Sequence, residues 1–157
     1  MSEMVWFWQE GKLYDASGNP LATTSTGDSL ETALETTEHL GQAAHQRILL
    51  ERAPGSRFSL RATTATGELF RCRQTGLSIT RLRAVCGDRE YILDRINPFR
   101  RARDIHDFDG RALARTEPQQ RNRLDISPID GELPALDAVF ITYACFQVDI
   151  SQKLMLS

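Results

Sequence analysis

The chain predicts an α+β protein, mainly β: a closed antiparallel β-barrel of serial hairpins around a buried C-terminal hydrophobic helix, with one outer amphipathic helix. Three observations predict this. Polar turns containing glycine recur along the sequence, with Gly67, Gly87, Gly110 and Gly131 spaced 20, 23 and 21 residues apart. Thirteen of the eighteen residues from Leu133 to Ile150 are apolar. Between the early strands, Asp28 to Gln46 carries a helical period instead of a strand period. The 157 residues suit one domain, predicted over 1–157.

The hairpins follow in order. Trp6-Phe7-Trp8 reads as a first strand, with either Phe7 or the two tryptophans facing inward, as a period of two requires. Lys12 to Ala22 turns through Asp15-Ala16-Ser17-Gly18. Phe58 to Arg61 leads through Thr66-Gly67 to Leu69-Phe70-Arg71-Cys72. Leu82 to Val85 turns through Cys86-Gly87-Asp88 into Tyr91-Ile92-Leu93. Ile105 to Leu113 turns through Asp107-Phe108-Asp109-Gly110. Asp125 to Gly131 ends in Asp130-Gly131. Glycine accepts the positive φ that tight turns need, so each unit reads as strand, turn, strand. Two strands and a turn fill roughly 20 residues. Asn97-Pro98 marks a break, because proline cannot donate to the ladder.

Two segments depart from this rhythm. Asp28 and Glu31 form a D-x-x-E start, and Leu30, Ala33, Leu34, Leu40 and Ala44 fall along one helical face. Glu31, Glu35 and Glu38 make an acidic stripe beside that face. The expectation is an outer helix over 28–46. The second segment, 133–151, starts with Pro134 and Asp137, both suited to a first helical turn. Its later polar residues, Thr142, Gln147 and Asp149, do not share a face with Asp137. The eleven uncharged residues between Asp137 and Asp149 would span only about 17 Å, short of the ~30 Å hydrocarbon core. Burial inside protein is therefore expected, and no transmembrane segment. The alternation of Phe146-Gln147-Val148-Asp149-Ile150 leaves an extended end as the alternative. A helix apolar all round needs a wall all round, and hairpins supply one by curling into a barrel, which also removes exposed edges.

Composition narrows the function classes. Hydrophobic residues are 41% and charged residues 25%, ordinary for a globular chain. Cys72, Cys86 and Cys145 are an odd number with no close pair, which excludes a CxxC motif and argues against a secreted disulfide framework. The opening MSEMVWFWQEGKLYD lacks a basic region and a long apolar core, so no secretory leader is expected. The expected location is the cytoplasm, with peripheral association at a membrane if the chain takes lipid. The net charge of −2 hides a segregation: residues 1–56 carry −5, 57–123 carry +7, and 124–157 carry −4. All the basic residues of the middle segment are arginines. The simplest reading places them on the solvated faces of strands. Arg95, Arg100, Arg101 and Arg103 around Asn97-Pro98-Phe99 form the candidate anionic site, with edge protection as the competing role.

Catalytic and metal motifs fail by inspection. His39 and His45 would lie about 120° apart on a helix, poor for one metal, and His106 is alone. An EF-hand aligned on Gly110 would need an oxygen ligand at 105 and Glu at 116, where Ile105 and Thr116 stand. GxSxG, HExxH and a phosphate-cradling glycine loop are absent from the sequence. No catalytic residue, metal or cofactor is assigned.

Asp15-Ala-Ser-Gly18, Phe108-Asp109-Gly110-Arg111, Ile129-Asp130-Gly131 and the run from Leu136 to Asp149 together resemble the tubby C-terminal-like superfamily. That group includes the tubby, LURP-one-related and phospholipid scramblase families. The resemblance covers about Tyr14 to Ile150 and implies a closed barrel of about twelve strands filled by the apolar helix. It also implies a non-enzymatic binding protein, with anionic lipid headgroups such as phosphoinositides as the sharpest ligand class. Nucleic acid is not an expected partner. This chain departs from tubby in its shorter length, its acidic segment near the start and its mere two lysines, Lys12 and Lys153. No lipid-binding motif of the family maps onto a position here. The alternative function is a protein-interaction or regulatory module acting through the acidic helix 28–46.

Overall fold

Alternating residues become a sheet with one buried and one solvated face. The computed structural model describes residues 5–25, 29–32, 46–52, 57–131 and 133–151. The strands are β1 (Trp6–Gln9), β2 (Lys12–Tyr14), β3 (Pro20–Ser25), β4 (Ser29–Thr32), β5 (Gln46–Arg52) and β6 (Ser59–Thr63). After them come β7 (Leu69–Gln74), β8 (Arg81–Cys86), β9 (Arg89–Arg95), β10 (Arg103–Asp107), β11 (Ala112–Gln119) and β12 (Arg123–Pro128). Helix α1 (Ala135–Phe146) follows and continues as a π-helical turn, Gln147–Ser151. All pairings are antiparallel. Each strand lies beside its sequence neighbours, and β1 is bonded both to β2 and to β12.

The repeated turn is one hydrogen-bonded unit. In Asp15-x-x-Gly18, Thr64-x-x-Gly67 and Asp107-x-x-Gly110, the glycine N–H donates to the carbonyl of the first residue at 2.9–3.0 Å. The first residue's own N–H donates to the carbonyl one place beyond the glycine. The side chain of the first residue accepts a backbone N–H as well. Asp15 Oδ1 accepts from Ser17 and Asn19, Asp107 Oδ1 from Asp109 and Arg111, and Thr64 Oγ1 from Glu68. These backbone donors, that of Asn19 foremost, hold the Asp15 carboxyl below its ordinary range. Gly18, Gly67 and Gly110 all have φ between 85° and 87°, which explains the residue type.

The helix is buried as its composition requires. Every residue from Ala138 to Phe146 is buried, and Val139, Phe140, Ile141, Ala144 and Cys145 are fully so. The inward residues of the sheet, among them Trp8, Leu13, Ile48, Phe70, Leu82, Leu93, Ile105 and Leu124, join the helix in one core cluster. Of the first three aromatics, Trp8 faces in. Its indole N–H donates to Thr142 Oγ1 at 2.8 Å, and its ring packs on Tyr143 and Phe146. Phe7 lies on the outer face, stacked on Tyr14 with the Arg123 guanidinium over it.

One expectation is corrected. Residues 29–32, placed in the outer helix, form strand β4, and Gln46 opens β5. Glu31 pairs with Thr23 on one side and Arg47 on the other. Ladders on both flanks satisfy the backbone of this short segment, and that outweighs its local helical period. The remainder of the expected helix, with Glu35, Glu38, His39 and His45, lies outside the described residues. The alternative of an extended end after Phe146 is not adopted, since Gln147–Ser151 stays helical.

Two substitutions separate backbone from packing. Gly110→Ala places its new methyl in open space, so its cost is conformational, about 1–2 kcal/mol. Phe140→Ala empties the middle of the core and costs about 3–5 kcal/mol. Urea unfolding of the two variants against the parent is expected to rank them in that order.

Candidate functional site

Antiparallel strands put successive connections at alternate ends of the sheet. At the end where α1 begins, the described residues of the connections carry Asp15, Glu68, Asp88, Asp109 and Asp130 against Arg111. At the end where the helix finishes, their described residues carry Arg57, Arg100, Arg101 and Arg121 against Glu10, and all four arginines are exposed. Among the described residues there is therefore an acidic end and an arginine end, although the net charge of the chain is near zero.

Each carboxylate of the buried helix is held by strand arginines. At the acidic end, Asp137 accepts two hydrogen bonds from Arg89, at 2.7 and 2.9 Å, and one from the Tyr91 hydroxyl. Asp137 also sits at the favourable end of the helix dipole. Burial and the neighbouring Asp137 carboxylate push the Tyr91 hydroxyl far above its ordinary pKa, so it stays a donor. A cavity of about 600 Å³ opens beside this cluster, lined by Asp88, Arg89, Tyr91, Phe108, Leu113 and Pro134 among others. Its arginine is already engaged by Asp137, Glu68 and Asp88.

At the arginine end, Asp149 lies at the unfavourable end of the dipole and needs stronger compensation. Arg103, fully buried, binds both its oxygens at 2.7 and 3.0 Å. The rest of the Arg103 fork donates to the carbonyls of Ile79, Thr80 and Leu93, so all five N–H groups are used. Burial works against the charge on Arg103, but the hydrogen bonds and attraction of Asp149 outweigh it and raise its pKa. Arg95 adds a bond to Asp149 Oδ1 at 3.1 Å, and Arg101 donates to the Asp149 carbonyl at 3.2 Å. Two arginines thus converge on one carboxylate and a third on the backbone carbonyl of the same residue, leaving an excess of positive charge there. The buried Arg95 Nε has no partner.

The four arginines expected to form one anionic site are divided by this arrangement. Arg95 and Arg103 point toward the helix end, because the pairing of β9 with β10 sets them opposite each other around Asp149. Arg103 is not available to a ligand. Arg100 and Arg101 are exposed and, with Phe99, line a cavity of about 540 Å³ between the β9–β10 connection and Glu117 to Gln119. Arg100 bonds Glu117 at 2.7 Å, with half of its side chain in solvent. Such a pair is worth about 0–1 kcal/mol and exchanges readily for a stronger anion. Arg57, Arg121 and the role of Asp149 escaped the sequence reading. A carboxylate inside an apolar helix was the available signal that a buried cation faces it.

Elsewhere the outward arginines mostly face carboxylates across strands: Arg81 with Asp94, Arg83 with Glu90, Arg115 with Asp104 and Arg61 with Glu51. Among the described residues no three His, Cys, Asp or Glu side chains gather as a metal site. Among the described residues no helix is long and apolar enough to cross a membrane. No family model matches the chain, and neither a curated protein nor a solved structure matches it.

Two predictions follow from the buried groups. Asp149→Ala leaves Arg103 charged and unpaired in the core and costs about 3–5 kcal/mol in urea unfolding, and adding Arg103→Met restores most of that loss. Burial raises the thiols of Cys72, Cys86 and Cys145, the last from 9.0 to about 12. The unfolded chain then loses its thiol protons first, so this contribution to stability falls as pH rises from 9 toward 12. At neutral pH the native thiols are expected to resist alkylation and all three to react in urea, as counted by mass spectrometry.

Proposed function

We propose that this chain is a non-enzymatic binding protein that takes anionic phospholipid headgroups at its arginine end. We further propose that its sheet closes as a tubby-like barrel around α1, in keeping with the resemblance to the tubby and LURP-one-related families. One observation carries the binding reading. Arg100 and Arg101, exposed beside Phe99, line an open cavity at the end whose described connecting residues hold four arginines and one acid. Guanidinium forks match phosphate oxygens in a bidentate way. The excess positive charge around Asp149 lies directly beneath them and raises the local potential for an anion. On this reading the protein works at a membrane surface, as a peripheral binder.

Lipid co-sedimentation tests the proposal. Binding is expected to phosphatidylcholine vesicles that contain phosphatidylserine or phosphoinositides, not to phosphatidylcholine alone, and to weaken as salt shortens the screening length. Each arginine near an anionic surface contributes about 1 kcal/mol, so Arg100→Glu with Arg101→Glu is expected to lower affinity at least ~10-fold. Equal binding to neutral vesicles, or none to anionic ones at low salt, sinks the headgroup reading.

A further inference from the structure

Two side chains at the arginine end are more exposed than any other large apolar residues in the described structure: Phe99 at 94% and Leu77 at 90%. They sit on neighbouring connections, Leu77 between β7 and β8 and Phe99 between β9 and β10. Neither connection is loosely held. The buried Arg103 fork grips the carbonyls of Ile79 and Thr80, and the Arg95 N–H donates to Thr80 as well. Gln74, also buried, accepts the Phe58 N–H through its amide oxygen and donates to the Gly76 carbonyl through its amide nitrogen. On the other connection, Asn97 Oδ1 accepts the Phe99 N–H at 2.9 Å, and the Ile96 N–H closes onto Ala102. Ala102 is buried and Ile79 packs against the core, so both connections are anchored at their bases while their tips stand free.

An anchored connection with an apolar tip in water is a surface built for contact. The surrounding charge identifies its occupant. Arg100 and Arg101 flank Phe99, and Arg57 and Arg121 lie on other connections of the same end. Apolar tips ringed by arginines match the layering of an anionic bilayer, where phosphates lie outside acyl chains. Resting on the headgroup reading above, we infer that Leu77 and Phe99 form a two-pronged wedge that enters the acyl region of an anionic bilayer while Arg100 and Arg101 engage the phosphates. The sheet then meets the membrane end-on, with its acidic end facing away. Arg103 is the positioning residue of the wedge, since one buried fork fixes both the helix terminus and the Leu77 connection.

The outer face of the sheet offers a control. Arg61 stands opposite Arg71, and Arg73 opposite Arg83, so arginines also cluster on the strands. A protein lying on its side would use those instead.

The test uses the full chain and vesicles of phosphatidylcholine with and without phosphatidylserine, some carrying brominated acyl chains. Leu77→Ser and Phe99→Ser are each expected to weaken binding to the anionic vesicles about tenfold, because each removes a buried apolar side chain from the bilayer contact. Both positions are solvent-exposed, so unchanged circular dichroism confirms that the fold is intact. The Phe99→Trp variant is expected to show bromolipid quenching beyond that of the parent, whose tryptophans are Trp6 and Trp8. Arg71→Glu with Arg73→Glu is expected to leave most of the affinity. If the parent binds anionic vesicles while both serine variants bind as well and the Phe99→Trp indole is not quenched, the wedge is wrong and headgroup binding stands. Loss of binding in the Arg71/Arg73 variant comparable to that in the Arg100/Arg101 variant overturns the end-on orientation. No parent binding at low salt overturns the headgroup reading and the wedge together.

Discussion

The structure depends on hiding a helix that has no polar face but carries two carboxylates. Apolar burial alone would drive α1 into the sheet, yet Asp137 and Asp149 travel with it, and an unpaired buried carboxylate is too costly to tolerate. The strands answer with Arg89 and Tyr91 at one end and Arg103 with Arg95 at the other. These clamps fix how far the helix enters and how it is rotated, which an undirected apolar surface cannot do. A buried ion pair adds little net stability over an apolar pair, so its value here is register.

The same clamps shape the surface. Arg103 cannot serve Asp149 without also filling its remaining donors, and the nearest acceptors are the carbonyls of the β7–β8 connection. A requirement of the core is thereby transmitted to a loop. Two arginines on one carboxylate leave positive charge at that end, and Arg57, Arg100, Arg101 and Arg121 extend it into solvent. The polarity of the molecule comes from its connections and from this imbalance. Along the strand faces, most outward arginines are matched by a carboxylate on the next strand.

The arginine cluster around Asn97-Pro98 was legible as a cluster and illegible as a geometry. Arg95 and Arg103 face each other across β9 and β10, and β10 restarts with Arg103 turned inward after the proline-containing connection. Inward or outward is a matter of parity, and a single residue's change in the length of that connection would reverse it. Nothing in the local spacing reveals that Asp149, forty-six positions away, is the partner of Arg103. Leu77 was silent for a similar reason, because an apolar residue in a loop is noteworthy only once its surroundings fail to cover it.

Turn chemistry and apolar content are properties of the chain itself. Asp15-x-x-Gly18, Thr64-x-x-Gly67 and Asp107-x-x-Gly110 make their own hydrogen bonds within five residues, so the hairpins were determined by the sequence alone. The buried helix was too, since a segment without a polar face has nowhere else to go. Tertiary structure decided the rest. It made a strand of Ser29–Thr32, because four residues gain their structure from ladders on both sides and not from their own period. It also chose which arginines serve the core and which face solvent, because that choice follows strand parity and partners distant in the chain.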